Sequence, residues 1–248
     1  MAEDFTIDDF LGGKIKLKQL VSGYRATSDA VLLASAVRPK KGENVLDVGS
    51  GTGAVSLALA ALAPQVNITG LEIQLDMLAL AEENAHLNQM ESRVSFVLGD
   101  VAKPPREIVD TSYKYVLTNP PYATESFVSP NKNKAIAHHE EAVSLADWID
   151  FCLRRLSPLG TFAIIQRADR LDEILACTAS RLGALKIVPL WPMQGKPAKR
   201  VIVTGVKNSA APLSLMPGVV LHNQDGTSTQ NAENILRKGE CLWDNQEG

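Results

Sequence analysis

The chain has 248 residues, of which 45% are hydrophobic and 21% are charged. This composition is typical of a soluble globular enzyme and excludes an intrinsically disordered chain. The formal net charge is −3 and the isoelectric point is about 5.8. The chain is therefore not a polycation, and any contact with nucleic acid would depend on local basic patches.

The cysteines and the N-terminal residues indicate a cytoplasmic protein. Cys152, Cys177 and Cys241 are far apart and form no CxxC pair, which argues against both a disulfide framework and a zinc site. The first ten residues are acidic and do not have the pattern of a signal peptide. No apolar run approaches the ~20 residues of a membrane span. We expect a metal-free, cytoplasmic monomer that makes no contact with membranes.

Two short elements are predicted before residue 43. Apolar and basic residues alternate over 14–18, which predicts an edge strand with one basic face. Ser28 and Asp29 then precede an apolar run over 30–37, which predicts a capped helix that ends before Pro39.

From residue 43 onward, short apolar runs alternate with helical patterns. The pattern predicts strands at 44–48, 66–71, 94–98, 113–118, 161–165, 185–190 and 200–206. It predicts helices at 54–63, 75–89, 143–157 and 169–182, and a last helix at 231–238. This alternation indicates parallel strands, and the short last connection indicates an antiparallel hairpin at the sheet edge. The predicted fold is an α/β, doubly wound sheet of about seven strands, mostly parallel.

A glycine-rich loop, DVGSGTG over 47–53, lies between the first strand of this sheet and its helix. Gly49, Gly51 and Gly53 allow a sharp turn and the close approach of a ligand to the backbone. The spacing is GxGxG with Asp47 before it, whereas the dinucleotide fingerprint is GxGxxG. A carboxylate at this position disfavours a pyrophosphate and favours a ligand with an ammonium group, such as S-adenosylmethionine.

Two further acids follow at the ends of the next two strands. Glu72 comes roughly twenty residues after the loop, where a carboxylate that binds a ribose is expected. Asp100, after Gly99, is suited to accept a hydrogen bond from an adenine amino group. Because Gly-Asp is also a common turn, a purely structural role for Asp100 stays open.

The motif Asn119-Pro120-Pro121-Tyr122 follows the strand predicted at 113–118. Two prolines cannot continue a central strand, so the chain stops at the carboxyl edge of the sheet. The side-chain carbonyl of Asn119 and the main-chain carbonyl of Pro120 are two acceptors for the hydrogens of a planar NH2 group. Such acceptors stabilise the charge that develops as the nitrogen is methylated. Tyr122 is suited to stack on an aromatic base, a contact worth ~1–3 kcal/mol.

The glycine loop followed by TNPPY resembles the class I, Rossmann-like amino-methyltransferases. Further segments resemble one group of these enzymes, the bacterial tRNA1(Val) adenine-37 N6-methyltransferases. The segments are GYRATSDAVLLA, HHEEAVSLADWIDFCLRRLSPLGTFAII, KPAKRVIV and HNQDGTSTQNAENILR. The resemblance covers roughly residues 8–238.

The resemblance implies S-adenosylmethionine as cofactor and RNA as the partner that is methylated, with tRNA favoured. It implies that Asn119, Pro120 and Tyr122 hold the target amine. The residues implied to bind the cofactor or line its mouth are Tyr24, Arg25, Ser28, Asp29, Asp47, Gly49, Gly51, Gly53, Glu72, Asp100 and Asn119. The element pattern itself predicts an N-terminal segment, 1–42, on the cofactor site, a catalytic domain, 43–207, and a C-terminal appendage of the same domain, 208–248.

Basic residues near the predicted active-site edge are candidates for RNA binding. The first candidates are Lys196, Lys199 and Arg200 in the hairpin loop, and Lys132 and Lys134 after the NPPY motif. Lys14, Lys16, Lys18 and Arg25 form another group. Phosphate contacts of this kind are sensitive to salt. The alternative for any one of these basic groups is an ordinary solvent-exposed surface that does not bind RNA.

The long polar segment 127–139 is a candidate active-site lid. It ends in His138-His139, but adjacent side chains diverge and the spacing does not match a metal site, so we expect neither histidine to be catalytic. Trp148 and Trp191 are predicted to pack in the core or at its rim rather than to stack on a base.

The favoured function is N6-methylation of an adenine in a tRNA anticodon loop, where the bases are already unpaired. Methylation of guanine N2 in ribosomal RNA or of a protein glutamine amide uses the same chemistry and stays open. A DNA adenine methyltransferase is disfavoured because no separate target-recognition domain fits in this length. Two other classes are disfavoured: a nicotinamide-dependent oxidoreductase by the loop spacing and Asp47, and a non-catalytic RNA-binding module by the intact NPPY motif.

Overall fold

The computed structural model describes residues 4–22, 25–121 and 143–244. An antiparallel hairpin precedes the main sheet. Its strands are β1 (Phe5–Phe10) and β2 (Ile15–Leu20), joined by the 3-10 turn Leu11–Gly13. The sequence pattern predicts only the second strand, because consecutive acidic residues obscure the alternation of exposed and half-buried positions along β1.

Nine strands of the described chain form the main sheet. They are β3 (Asn44–Val48), β4 (Asn67–Glu72), β5 (Val94–Leu98), β6 (Tyr113–Thr118), β7 (Leu156–Arg167), β8 (Leu182–Met193), β9 (Arg200–Lys207), β10 (Ser214–Leu215) and β11 (Val219–His222). The order is β10-β8-β9-β7-β6-β3-β4-β5, and β11 also pairs with β8. Only β9 runs antiparallel to its neighbours, β7 and β8. The prediction of a doubly wound, mostly parallel sheet with an antiparallel hairpin is therefore confirmed. The described sheet has nine strands instead of about seven, because β10 and β11 pair with the outer side of β8, where the sequence pattern predicts the hairpin to form the edge.

Helices connect the parallel strands. They are α1 (Ser28–Ser35), α2 (Ala54–Leu62), α3 (Leu75–Leu87), α4 (Arg106–Val109), α5 (Leu145–Arg155), α6 (Leu171–Thr178) and α7 (Gln230–Glu233), which continues as a π-helical turn, Asn234–Lys238. The sequence pattern does not predict α4, because a single turn is too short to show periodicity. No helix within the described ranges is long and apolar enough to cross a membrane.

Two hydrophobic clusters pack on opposite faces of the sheet. One includes Leu33 of α1 and Leu57 of α2, together with Ile165 of β7. The other includes Ile149 of α5 and Ile164 of β7. Because neighbouring residues of β7 face different clusters, the strand is buried on both sides, as expected for a doubly wound sheet.

The segment after β9 extends the sheet beyond the hairpin. Two short strands, β10 and β11, pair in parallel with β8. The sequence pattern does not predict them, because strands of two and four residues are too short to show alternation. The backbone N–H of Leu242 donates to the carbonyl of Ser35 at 3.1 Å, and Trp243 Nε1 donates to the carbonyl of Ala36 at 2.9 Å. These bonds tie the segment back to the end of α1.

Candidate active site at the carboxyl edge of the sheet

Two loops leave neighbouring strands at the same edge of the sheet. The parallel strands β3 and β6 pair in register up to Val48 and Thr118. The residue after β3 is Gly49, which opens the glycine loop, and the residue after β6 is Asn119, which opens the NPPY motif. Since paired strands lie ~4.8 Å apart, the two motifs start side by side.

The glycine loop has the backbone conformation that the sequence predicts. Gly49, Gly51 and Gly53 have φ angles of 74°, 54° and 83°, values that residues with a Cβ atom rarely adopt. A Cβ atom on Gly49 would also lie 2.9 Å from Cζ2 of Trp148. The backbone N–H groups of Gly49 and Ser50 both donate to the carbonyl of Leu71, which fixes the loop against β4.

Three buried polar atoms of the loop have no hydrogen-bond partner among the described residues. They are Asp47 Oδ1, Ser50 Oγ and Thr52 Oγ1. Folded proteins leave few such atoms unpaired, and each needs an explanation. The other oxygen of Asp47, Oδ2, accepts bonds from the Ser56 backbone N–H at 3.1 Å and from its hydroxyl at 2.7 Å. A carboxylate oxygen and two hydroxyl groups fit the amino-acid part of S-adenosylmethionine.

Burial gives Asp47 an unusual protonation equilibrium. Burial away from water raises the pKa of its carboxyl group to about 7. The hydrogen bonds from Ser56 lower this pKa, and the nearby Glu72 carboxylate raises it, but burial has the largest effect. Because the folded-state pKa lies above the ordinary value of 3.8, the stabilisation from protonated Asp47 is complete below that ordinary value. It is lost as the pH rises through about 7.

We expect the affinity for S-adenosylmethionine to increase with pH over this range. An ammonium group binds the ionised carboxylate, so the dissociation constant of the wild type should fall between pH about 5.5 and about 7.5. Asp47→Asn should bind more weakly at the upper pH and lose most of this dependence. Calorimetric titrations of both proteins across the range measure the effect. Parallel pH profiles for the two proteins would contradict the assignment.

Glu72 supports the glycine loop from the end of β4. It is buried, and Oε2 accepts a bond from the Gly51 backbone N–H at 2.8 Å. Oε1 accepts a bond from the Gln74 backbone N–H at the same distance. Each carboxylate oxygen can accept a second bond, so these contacts leave the predicted contact with a ribose possible. They add a structural role that the sequence does not reveal.

Exposed apolar side chains lie beside the predicted adenine site. Ile73 follows Glu72 and is 41% exposed, and Leu98 at the end of β5 is 48% exposed. Asp100 accepts a bond from the Ala102 backbone N–H at 2.8 Å, as in an Asx turn. Apolar groups beside a carboxylate suit a flat heterocycle with an amino group. Ile73 and Leu98 cannot be recognised as site residues from the sequence, because hydrophobic residues at strand ends are usually part of the core.

The start of the NPPY motif is fixed by a short chain of hydrogen bonds. Asn119 is half-buried and Pro120 is buried. Directly before them, the Thr118 hydroxyl donates to the carbonyl of Val48 at 2.8 Å. The same hydroxyl accepts a bond from Trp148 Nε1 of α5, also at 2.8 Å. Trp148, predicted only to pack, therefore connects α5 to the strand ends from which both motifs emerge.

Asn84 is a buried residue whose role is not evident from the sequence. Its Oδ1 accepts a bond from the Lys18 backbone N–H at 2.7 Å. Its Nδ2 donates to the carbonyls of Lys18 and Thr52, both at 3.0 Å. The N-terminal hairpin is thus bonded to the glycine loop through one carboxamide. In the sequence, Asn84 is an ordinary Asn within a helical pattern. Its burial and its contacts are visible only in the folded structure.

Arg25, predicted at the cofactor mouth, anchors the N-terminal hairpin. Its guanidinium donates to the carbonyl of Leu20 and forms an ion pair with Asp8 of β1. Its predicted contact with the cofactor stays a prediction.

The other two residues predicted near this mouth open α1. Thr27 is the N-cap, with its hydroxyl accepting a bond from the Asp29 backbone N–H, and Ser28 is the first helical residue. Asp29 is buried and forms an ion pair with Arg200 at the start of β9, with 2.9 Å between Oδ1 and Nε. The structure thus joins a predicted cofactor residue to a predicted RNA-binding residue.

Basic residues of the β8–β9 loop lie at the same edge of the sheet as Asn119. Strand β7 is parallel to β6 and pairs with β9 through Arg167 and Arg200. Arg167, Asp169, Ala198, Lys199 and Arg200 line a cavity of about 420 Å³. Lys196 is exposed in the same loop. The predicted position of this loop relative to the active site agrees with the strand register.

Several predicted site residues lie outside the described part of the chain. They are Tyr24, Tyr122, Lys132, Lys134 and the histidine pair His138-His139, together with the proposed lid 127–139. Their roles stay predictions.

A family model described as the methyltransferase small domain matches residues 22–143. The match includes the glycine loop, Glu72, Asp100 and the NPPY motif. Together with the sheet order and the paired loops, it identifies the chain as a Rossmann-like, S-adenosylmethionine-dependent methyltransferase.

The chain is also similar to individual proteins with assigned names. The chain is 29% identical over 202 residues to a tRNA1(Val) (adenine(37)-N6)-methyltransferase of Porphyromonas gingivalis, covering 79% of each chain. It is 27% identical over 220 residues to the enzyme of the same name from Shewanella baltica, covering 87% of this chain and 91% of the relative. A solved structure of a predicted O-methyltransferase from Agrobacterium tumefaciens is similar, with a TM-score of 0.70 and 25% identity over 86% of this chain and 96% of that one.

Proposed function

We propose that this methyltransferase transfers the methyl group to N6 of an adenine in a tRNA anticodon loop. The observation that supports this proposal most is the pairing of Val48 with Thr118. Because of this pairing, the cofactor loop and the NPPY motif begin next to each other at the ends of adjacent strands. A methyl donor held by the first loop and an amine held by the second would then be neighbours.

The acceptor groups of the motif favour an amine over a hydroxyl group. S-adenosylmethionine supplies an electrophilic methyl group on its sulfonium. The Asn119 side-chain carbonyl and the Pro120 main-chain carbonyl then accept one N6 hydrogen each. These two hydrogen bonds direct the nitrogen lone pair at the methyl group. They become stronger as positive charge develops on the nitrogen. The proton leaves to water afterwards, so no strong general base is needed.

A tRNA substrate is supported by the relatives and by the local charge. The relatives from Porphyromonas gingivalis and Shewanella baltica both carry the name of a tRNA adenine methyltransferase. In the cavity lined by Arg167, Lys199 and Arg200, the two arginines pair with Asp169 and Asp29. The exposed Lys199 and Lys196 of the same loop are therefore the cations proposed to bind phosphates. An anticodon-loop base is already unpaired, so bringing it into the site costs less than flipping a base from a duplex. We further propose that the enzyme acts as a cytoplasmic monomer without a metal ion.

The test is nucleoside analysis of tRNA from cells that lack the gene. We expect N6-methyladenosine to disappear from one tRNA species and to return with the wild-type gene but not with Asn119→Ala. Unchanged tRNA, with a loss of N2-methylguanosine from ribosomal RNA or of methylglutamine from a protein, would overturn the proposal in favour of that alternative.

A further inference from the structure

The C-terminal segment brings polar side chains to the same edge of the sheet as the active site. Strand β11 is parallel to β8, with Val219 opposite Leu190 and His222 opposite Met193. Because β8, β7 and β6 share one direction, β11 leaves the sheet at the edge that carries Asn119. Four strand spacings of ~4.8 Å place β11 ~19 Å from β6.

The loop after β11 is held in one conformation by its own hydrogen bonds. The Asn223 backbone N–H donates to the carbonyl of Thr227 at 2.8 Å, and Asn223 Nδ2 donates to the Thr227 hydroxyl at 3.0 Å. Thr229 donates to the carbonyl of Val220 at 2.6 Å and caps α7 by accepting the Ala232 backbone N–H. The loop is therefore preorganised, which lowers the entropy cost of binding.

A cavity of about 220 Å³ lies between this loop and the β8–β9 loop. Its lining is Gln194, Val220, His222, Asn223, Gln224 and Thr229. These side chains include three carboxamides and an imidazole but no carboxylate, lysine or arginine. Gln224 Nε2 lies 3.4 Å from the carbonyl of Gln194, a long bond that a ligand can replace. This volume is far above the ~10–15 Å³ that one water molecule needs by the same measure, so the cavity has room for a small planar heterocycle.

The cavity lined by Arg167, Asp169, Lys199 and Arg200 shares the β8–β9 loop with this amide-lined cavity. Gln194 lines one, whereas Lys199, in the same short loop, lines the other. Carboxamides pair with the hydrogen-bonding edges of nucleobases, and cations pair with phosphates.

We propose that the amide-lined cavity binds an unpaired nucleobase that flanks the methylated nucleotide, while Lys199, in the same loop as Gln194, binds the intervening phosphate. This inference rests on the proposed function and adds to it a specificity site built by the C-terminal segment. Recognition of splayed single-stranded bases by such side chains is the usual way in which proteins read RNA sequence.

The test compares Gln194→Ala/Gln224→Ala with Gln65→Ala, an exposed glutamine that precedes β4 at the opposite edge of the sheet. For the double variant we expect KM for tRNA to rise by about tenfold or more, with kcat and the affinity for S-adenosylmethionine unchanged. The salt dependence of RNA binding should also be unchanged, because no charge is removed. Gln65→Ala should match the wild type in every measurement.

A second variant distinguishes the two cavities. Lys199→Ala should weaken binding of all tRNA sequences and reduce the slope of log Kd against log salt concentration by about one. A double glutamine variant with the KM of Gln65→Ala, or one that loses kcat instead, would overturn the nucleobase site. A wild type that binds tRNA through these glutamines but leaves it unmethylated would overturn the proposed function and retain the site.

Discussion

Asn119→Ala is expected to lower kcat by ~100- to 1,000-fold, the usual cost of removing one preorganised group that acts on developing charge. Binding of S-adenosylmethionine should persist, because the described contacts that hold the glycine loop do not involve the Asn119 side chain. Single-turnover kinetics with calorimetry of cofactor binding measure the two quantities separately.

Asn67→Ala is the matched control for this variant, because Asn67 is exposed at the amino end of β4, on the opposite edge of the sheet. It should retain wild-type turnover. If Asn119→Ala loses cofactor affinity in proportion to turnover, the residue acts in binding the cofactor and not on the amine.

Thr118→Val is expected to reduce kcat by ~10- to 100-fold, since small displacements of reacting groups have effects of this size. The substitution keeps the shape of the side chain but removes the hydroxyl between Trp148 and the carbonyl of Val48. Both groups then lose this hydroxyl as a partner, and the Asn119 carbonyl is expected to shift relative to the glycine loop. KM for the cofactor should change less than kcat.

Thr118→Ser distinguishes positioning from general destabilisation, because it restores the hydroxyl while losing only a methyl group. We expect it to recover most of the wild-type kcat. Trp148→Phe, which keeps a ring near Gly49 but removes the indole N–H, should resemble Thr118→Val. Wild-type kcat in Thr118→Val, measured well below its Tm, would mean that the hydrogen-bond chain has no role in catalysis.

The central fold could be predicted because strand and helix patterns alternate clearly from β3 to β9. The prediction fails to find elements whose signal is not periodic. Acidic residues obscure β1, and β10 and β11 are too short to show alternation. Their pairing depends on the outer edge of β8, which only the folded sheet presents.

The candidate site could be predicted where one motif carries the chemistry. The positions of the glycine loop and Asn119 follow directly from local sequence. Contacts between distant residues do not, because nothing local links Asp29 to Arg200 or Trp148 to Thr118. Glu72 illustrates a mixed case: its location was predictable, but its bonds to the Gly51 and Gln74 backbone were not.

The most direct test of the account is transfer of labelled methyl groups from S-adenosylmethionine into total tRNA by the purified protein, followed by nucleoside analysis. We predict that the label appears in N6-methyladenosine, and that Asn119→Ala lowers its initial rate of formation by ~100- to 1,000-fold. Label in a ribose-methylated nucleoside, or none in tRNA from a protein that still binds the cofactor, would contradict the assignment of the NPPY site to an adenine amine in tRNA.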